Sequence, residues 1–193
     1  KNIPIAAGLA GGSSDAAATI RGINKMMKLN LSLTEMISIG IEIGSDVPFC
    51  IYNKTALVAG KGDLITPLGK MLKCWVVLVK PLFGVSTQEI FDHIDLATIK
   101  HPSVKDVIKS IETKDYRLLC QSLGNSLEDI TIQKYPEVDY IKQTLVKLGA
   151  DGVLMSGSGP TVYGLVLNER KAKKIISSID NTKYDTYAVR ILG

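Results

Sequence analysis

Apolar and polar positions change period several times along the chain, and each change marks an element. Ala16, Ile20, Ile23 and Met27 recur at helical spacing, which predicts an amphipathic helix behind the glycines that open the chain. Ser32 and Glu35 stand three apart ahead of "LTEMISIGIEI", the spacing of a capping box, and Gly44 is placed to close that helix. "GSDVPFCIY", 44–52, predicts a loop that runs into a strand. "TALVAGKGDLITPL", 55–68, predicts two short strands around a Gly60–Asp63 turn. "CWVVLVKP", Cys74–Pro81, is apolar almost throughout and predicts a strand buried on both faces.

Helical patterns return near Thr87–His93, Ser103–Ile111 and Tyr116–Leu123, and over roughly Pro136–Leu148, where Gly149 ends the run. "GVLMSGSGPTVYGLVL", 152–167, reads strand, glycine-rich loop, strand. A helix over Glu169–Ile179 and a strand over Tyr184–Leu192 follow. This mixed order predicts an α+β protein. A boundary near Leu68–Cys74 divides it into domains 1–70 and 71–193, with the last strand a candidate to return to the first domain.

The chain has 193 residues, 46% of them hydrophobic and 22% charged, enough apolar surface for a packed core. The net charge of +4 suits an anionic small ligand, and no Lys/Arg stripe with interleaved aromatics argues for nucleic acid. No apolar run reaches membrane-spanning length. Cys50, Cys74 and Cys120 are widely spaced and odd in number, which speaks against a disulfide framework or zinc site and fits a cytoplasmic protein. Lys61 and Lys80 are either phosphate contacts or, by default, solvated side chains, and His93 and His101 are read as surface residues at helix ends rather than ligands.

Within "PIAAGLAGGSSDAAA", 4–18, Gly8, Gly11 and Gly12 allow a tight turn and close backbone approach to a ligand. Ser13 and Ser14 are placed to cap the next helix, whose amides and dipole favour an anion such as phosphate. A tight serine-capped connection would look the same. The stretch lacks the lysine of G-x-x-x-x-G-K-[ST] and does not fit G-x-G-x-x-G. Asp46, between Gly44 and Pro48, is either a turn aspartate bonded to its own backbone or a carboxylate available to a reacting hydroxyl. Gly157, Ser158, Gly159, Pro160 and Thr161 form a second loop that is either a plain hairpin or a source of amides for an anion. Thr87 and Phe91 share a helix face, where the pattern alone reads Phe91 as core.

The first loop closely resembles the ATP-phosphate loop of the GHMP kinase superfamily: Pro, three residues, Gly-Leu, then Ser-Ser-Ala. The longer form Gly8-Leu9-Ala10-Gly11-Gly12-Ser13-Ser14 is similar to the branch that phosphorylates the 2-hydroxyl of 4-diphosphocytidyl-2-C-methyl-D-erythritol on the non-mevalonate isoprenoid route. Asp15 departs from the Asn often found there. "GSDVP" resembles that branch's catalytic-aspartate motif, "MSGSGPTVYGL" the third superfamily motif, and "PLFGVSTQEIF" its substrate side. "NSLE", Asn125–Glu128, is similar to the branch as well.

The resemblance implies a two-domain kinase: part of an ATP domain like that of a ribosomal protein, and a ferredoxin-like α/β C-terminal domain. It implies ATP and Mg²⁺ as cofactors. Pro4, Gly8, Leu9, Ala10, Gly11, Gly12, Ser13 and Ser14 would take the nucleotide, with the Ser14 hydroxyl toward the metal. Asp46 would be general base. Thr87, Phe91, Ser158 and Gly159 would hold a cytidine-diphosphate-linked methylerythritol, Phe91 against the cytosine. It implies a monomer or homodimer with no nucleic-acid or membrane partner. Only Lys1–Ile3 precede Pro4, where the family has a sizeable N-terminal segment. The chain is therefore expected to be the C-terminal two-thirds of such a kinase, or a fragment without catalysis. Other members, acting on homoserine or mevalonate-like alcohols, remain the alternative within the family.

Overall fold

The computed structural model describes residues 3–95 and 97–191. Its chain divides into two compact units. One runs Ala10–Lys70; the other takes in the residues before Ala10 and the chain from Met71 onward. Among the described residues, Ala6 and Gly8 are tied to the later unit: Val85 N donates to Ala6 O at 3.1 Å, and Ser156 Oγ to Gly8 O at 2.7 Å.

The 10–70 unit is built from α1 (Gly11–Met26), α2 (Leu33–Ile43), α3 (Val47–Tyr52) and the hairpin β1 (Ala56–Ala59) with β2 (Leu64–Pro67). The predicted capping box forms: Ser32 accepts from Glu35 N while the Glu35 carboxylate accepts from Ser32 N at 2.8 Å. The core is small, with Ala17, Val47 and Ile51 buried together and Ala16 and Ile20 packed against them. The apolar face of α1 therefore turns toward Ala17 at its N-terminal half. Ile23 and Met27, expected on the buried face, are 50% and 67% exposed. Gly40 lets α2 meet α3 closely, since a Cβ there would lie 2.7 Å from Ile51 Cδ1.

One element changes type. The predicted strand in "GSDVPFCIY" is the helix α3. Pro48 sits in its first turn, where a fixed φ suits a helix and the missing N–H costs nothing. Val47 and Ile51, four apart, supply the buried face, and Asn53 ends the helix in the left-handed conformation.

The later unit carries an antiparallel sheet in the order β4-β5-β3-β6, from β3 (Trp75–Pro81), β4 (Gly152–Met155), β5 (Val162–Val166) and β6 (Tyr184–Arg190). The helices are α4 (Thr87–Phe91), α5 (Val104–Thr113), α6 (Tyr116–Ser122), α7 (Glu128–Lys134), α8 (Glu137–Lys147) and α9 (Glu169–Ser177). Its core joins Val77, Val79, Val162 and Val166 of the sheet to Val138, Ile141 and Leu145 of α8 and Ala172 and Ile175 of α9. The last strand does not return to the first domain. It pairs with β3 from Trp75–Arg190 to Pro81–Tyr184, because β3 is the apolar centre of the sheet and needs a partner on each edge. Its predicted end at Leu192 lies outside the described residues. The pattern missed α7, whose N-cap Leu127 makes no side-chain bond to signal a start. No helix among the described residues is long and apolar enough to cross a membrane.

Candidate functional site

The start of α1 is open. Its N-cap is Ala10, held at φ 48° in the left-handed region, with no side-chain cap and no acidic residue in the first turn. Ser14 N donates to Ala10 O at 2.9 Å. Among the described residues the amides of Gly11, Gly12 and Ser13 meet no acceptor. Ser13 and Ser14 are therefore not caps. The left-handed turn at Ala10 starts the helix at Gly11 and places both serines inside its first turns. Three unpaired amides at the positive end of a sixteen-residue helix favour an anion.

Asp46 is the N-cap of α3, yet its side chain makes no capping bond. It is exposed, and no hydrogen bond or ion pair takes up its carboxylate among the described residues. The turn-aspartate alternative is thus set aside. Val47 is buried with Ala17, which fixes the start of α3 against α1 one turn past Ser13 and Ser14. The Gly60–Asp63 turn backs this corner. Gly62 has φ +99°, and a Cβ on it would overlap Ser45 O beside Asp46.

In the later unit, three of the quoted stretches meet. Gly8 has φ +68°, and a Cβ there would overlap Ser156 O and lie 2.9 Å from Gly159 O. Gly84 backs Ala6, with 2.8 Å between a built Cβ and the Ala6 Cβ. The Thr87 and Ser158 hydroxyls share a hydrogen bond of 2.9 Å. Gly8, Thr87, Ser158 and Gly159 are thereby brought together. Phe91 lies one turn beyond Thr87 at 54% exposure, so it is no core residue, and Ile90 is the side chain of α4 that enters the core. Pro4 is half-buried in the same unit, while Leu9 and Ala10 join the two units.

Glu89 on α4 accepts from Lys134 Nζ at 2.8 Å and from Tyr135 Oη at 3.1 Å. These bonds hold its carboxyl below the ordinary range, Lys134 foremost. Phe83 stacks on Tyr135 with ring centres 5.5 Å apart.

Lys80 is not solvated. It is 6% exposed and donates to Pro81 O at 2.7 Å and Phe83 O at 3.3 Å, with Asp185 3.9 Å away. The sheet end buries its stem, and the loop carbonyls take its charge. Cys50, Cys74 and Cys120 are free; burial pushes the Cys74 thiol up to about 11, away from nucleophilic use. Sequence reasoning gave no role to Asn125, Glu128 and Thr131. The structure bonds Asn125 and Thr131 to the second glycine loop and Glu128 to Met155, the strand residue that leads into it, and the resemblance of "NSLE" was the signal available. No group of three or more His, Cys, Asp or Glu among the described residues could hold a metal ion.

Comparison with known proteins gives a consistent picture. The GHMP kinases N terminal domain family matches residues 1–54, and the GHMP kinases C terminal family residues 107–186. The chain is 50% identical over 193 residues to 4-diphosphocytidyl-2-C-methyl-D-erythritol kinase of Geobacillus thermodenitrificans, covering all of this chain and 67% of the relative. It is 51% identical to the protein of the same name from Bacillus pumilus, with the same coverage. The crystal structure of a 4-(cytidine 5'-diphospho)-2C-methyl-D-erythritol kinase superposes with a TM-score of 0.84 at 26% identity, over 100% of this chain and 69% of that one. A homoserine kinase from Cytophaga hutchinsonii shares the fold at TM-score 0.79 and 18% identity, over 98% and 67% of the two chains.

Proposed function

We propose that this chain, which belongs to the GHMP kinase family, carries the chemistry by which ATP phosphorylates the 2-hydroxyl of 4-diphosphocytidyl-2-C-methyl-D-erythritol. The observation that carries this reading is identity near 50% along the whole chain to relatives of that activity. The homoserine kinase likeness supports the fold alone. Three free, widely spaced cysteines fit a cytoplasmic enzyme.

The residues present suit the nucleotide. The open start of α1 offers amides to phosphate oxygens, and Gly8 lets backbone approach where a side chain could not. Pro4 and Gly8 to Ser14 are assigned to ATP. Mg²⁺, held mainly by phosphate oxygens and water, would meet the Ser14 hydroxyl and offset charge on the transferred group. Asp46 accepts the proton of the substrate hydroxyl. The freed oxygen bonds to the γ-phosphorus, the bond to the β-phosphate oxygen breaks, and ADP leaves. An uncapped carboxylate suits that task, because no bond among the described residues competes for its lone pairs. Thr87, Ser158 and Gly159 are assigned to the substrate's polar groups, and Phe91 to its cytosine ring.

A substrate panel tests this reading. The protein as its cell makes it is expected to form ADP with the cytidine-linked alcohol and not with homoserine or mevalonate. Turnover of either of the latter at a higher kcat/KM would overturn it.

A further inference from the structure

The second glycine loop is fixed by side chains that come from one short stretch of chain, 125–131. Asn125 Nδ2 donates to Met155 O at 3.0 Å and to Gly157 O at 2.7 Å. Its Oδ1 accepts from Leu127 N at 2.9 Å, which sets the amide's orientation. Glu128 Oε1 accepts from Met155 N at 2.9 Å, and its other oxygen meets Lys142 Nζ at 2.5 Å. Thr131, fully buried, donates to Ser158 O at 3.2 Å while also reaching Leu127 O. Gly159 N closes the remaining carbonyl, Ser156 O, at 2.9 Å.

The result is directional. Each of the four consecutive carbonyls from Met155 to Ser158 accepts a hydrogen bond. The amides of Gly157 and Ser158 meet no acceptor among the described residues. The Ser158 hydroxyl, on a residue 5% exposed, faces Thr87. Glycine-rich loops can flip their peptides, since left-handed and right-handed backbone are nearly equal in energy for glycine. With these carbonyls bonded such a flip is opposed, and the Gly157 and Ser158 N–H groups stay available.

We infer that Asn125, Glu128 and Thr131 are positioning residues that hold the Met155–Gly159 loop with its free amides and the Ser158 hydroxyl presented to the cytidine-linked substrate. This rests on the assignment of Ser158 and Gly159 to that substrate. The three residues act through the loop, so their loss should weaken substrate binding without slowing the bound complex in proportion.

The test measures binding of the cytidine-linked alcohol by calorimetry, beside KM and kcat, in the protein as its cell makes it. Asn125→Asp keeps the shape and the Oδ1 contact but points a carboxylate oxygen at two carbonyls. Thr131→Val removes only the hydroxyl, and Thr131→Ser keeps it. Asn125→Asp is expected to raise Kd and KM for the alcohol about tenfold, with KM for ATP within about twofold. Thr131→Val should raise them about threefold, and Thr131→Ser should recover most of that loss. Equal substrate affinity in all three variants would overturn the inference. So would equal weakening of ATP and alcohol together with a lowered Tm, the signature of a purely structural role. Failure of the parent protein to bind the alcohol would instead sink the substrate assignment, so the two failures are told apart.

Discussion

In the 10–70 unit the polar groups nominated for chemistry are left open. The α1 amides have no side-chain cap, and the Asp46 carboxylate makes no hydrogen bond or ion pair among the described residues. In the unit from Met71 the corresponding groups are tied. Thr87 is bonded to Ser158, Ser158 O to Thr131, and the neighbouring carbonyls to Asn125. The cores differ in the same sense: Ala17, Val47 and Ile51 on one side, and a four-stranded sheet covered by α8 and α9 on the other. Groups that must meet a reacting phosphate and release a product need free lone pairs and free donors. Groups that select a substrate work best when their geometry is set beforehand. Changes at Asp46 should therefore act on kcat, and changes at Thr87, Phe91 and Ser158 on substrate KM.

The sharpest way to break this comparison is Asp46→Ala. It is expected to lower kcat by roughly 10²- to 10⁴-fold, the range for a lost general base. Steady-state kinetics with the cytidine-linked alcohol would show it, and full turnover would remove Asp46 from the mechanism. Next is Gly8→Ala. A left-handed φ and overlap with Ser156 O should destabilise the fold by about 1–3 kcal/mol, seen as a lower urea midpoint. It should also raise KM for ATP, and an unchanged protein would show that the loop does not need close backbone approach.

Phe91→Ala sharpens the substrate side. Losing one ring-on-ring contact of about 0.5–1.5 kcal/mol should raise KM for the alcohol several-fold and leave KM for ATP unchanged. A loss confined to Tm would make Phe91 structural. The smallest effect is at Glu89, whose carboxyl is held low by Lys134 and then Tyr135. A carboxyl lowered on folding stabilises the fold above its unfolded pKa, and that support fades as pH falls through the folded value. Glu89→Gln should flatten the acid limb of Tm against pH by a small amount, since the pair is solvent-screened. An unaltered acid limb would show that the tie contributes nothing.

Local signals were the legible ones. The Ser32–Glu35 box, the β1–β2 hairpin and the apolar run of β3 each lie within a few residues, and each formed. The loops were legible as glycine-rich motifs, because backbone approach demands particular residues. What stayed hidden depends on partners far along the chain. Lys80 reads as an ordinary surface lysine until the sheet end encloses it. Asn125 and Thr131 bond to residues 27–32 positions later. Asp46 had two open readings because the strand predicted at "GSDVPFCIY" gave no cap to compare it with. The helix α3 did, and showed the cap position leaving its carboxylate free.

The most direct test of the contrast between an open chemical unit and a preset selecting unit is a split measurement on Asp46→Asn. Single-turnover phosphoryl transfer and calorimetric binding of the cytidine-linked alcohol are measured on the same material. The account predicts transfer slowed at least about a hundredfold, with substrate Kd within about twofold of the parent. Transfer at the parental rate, or binding lost in step with transfer, would contradict it.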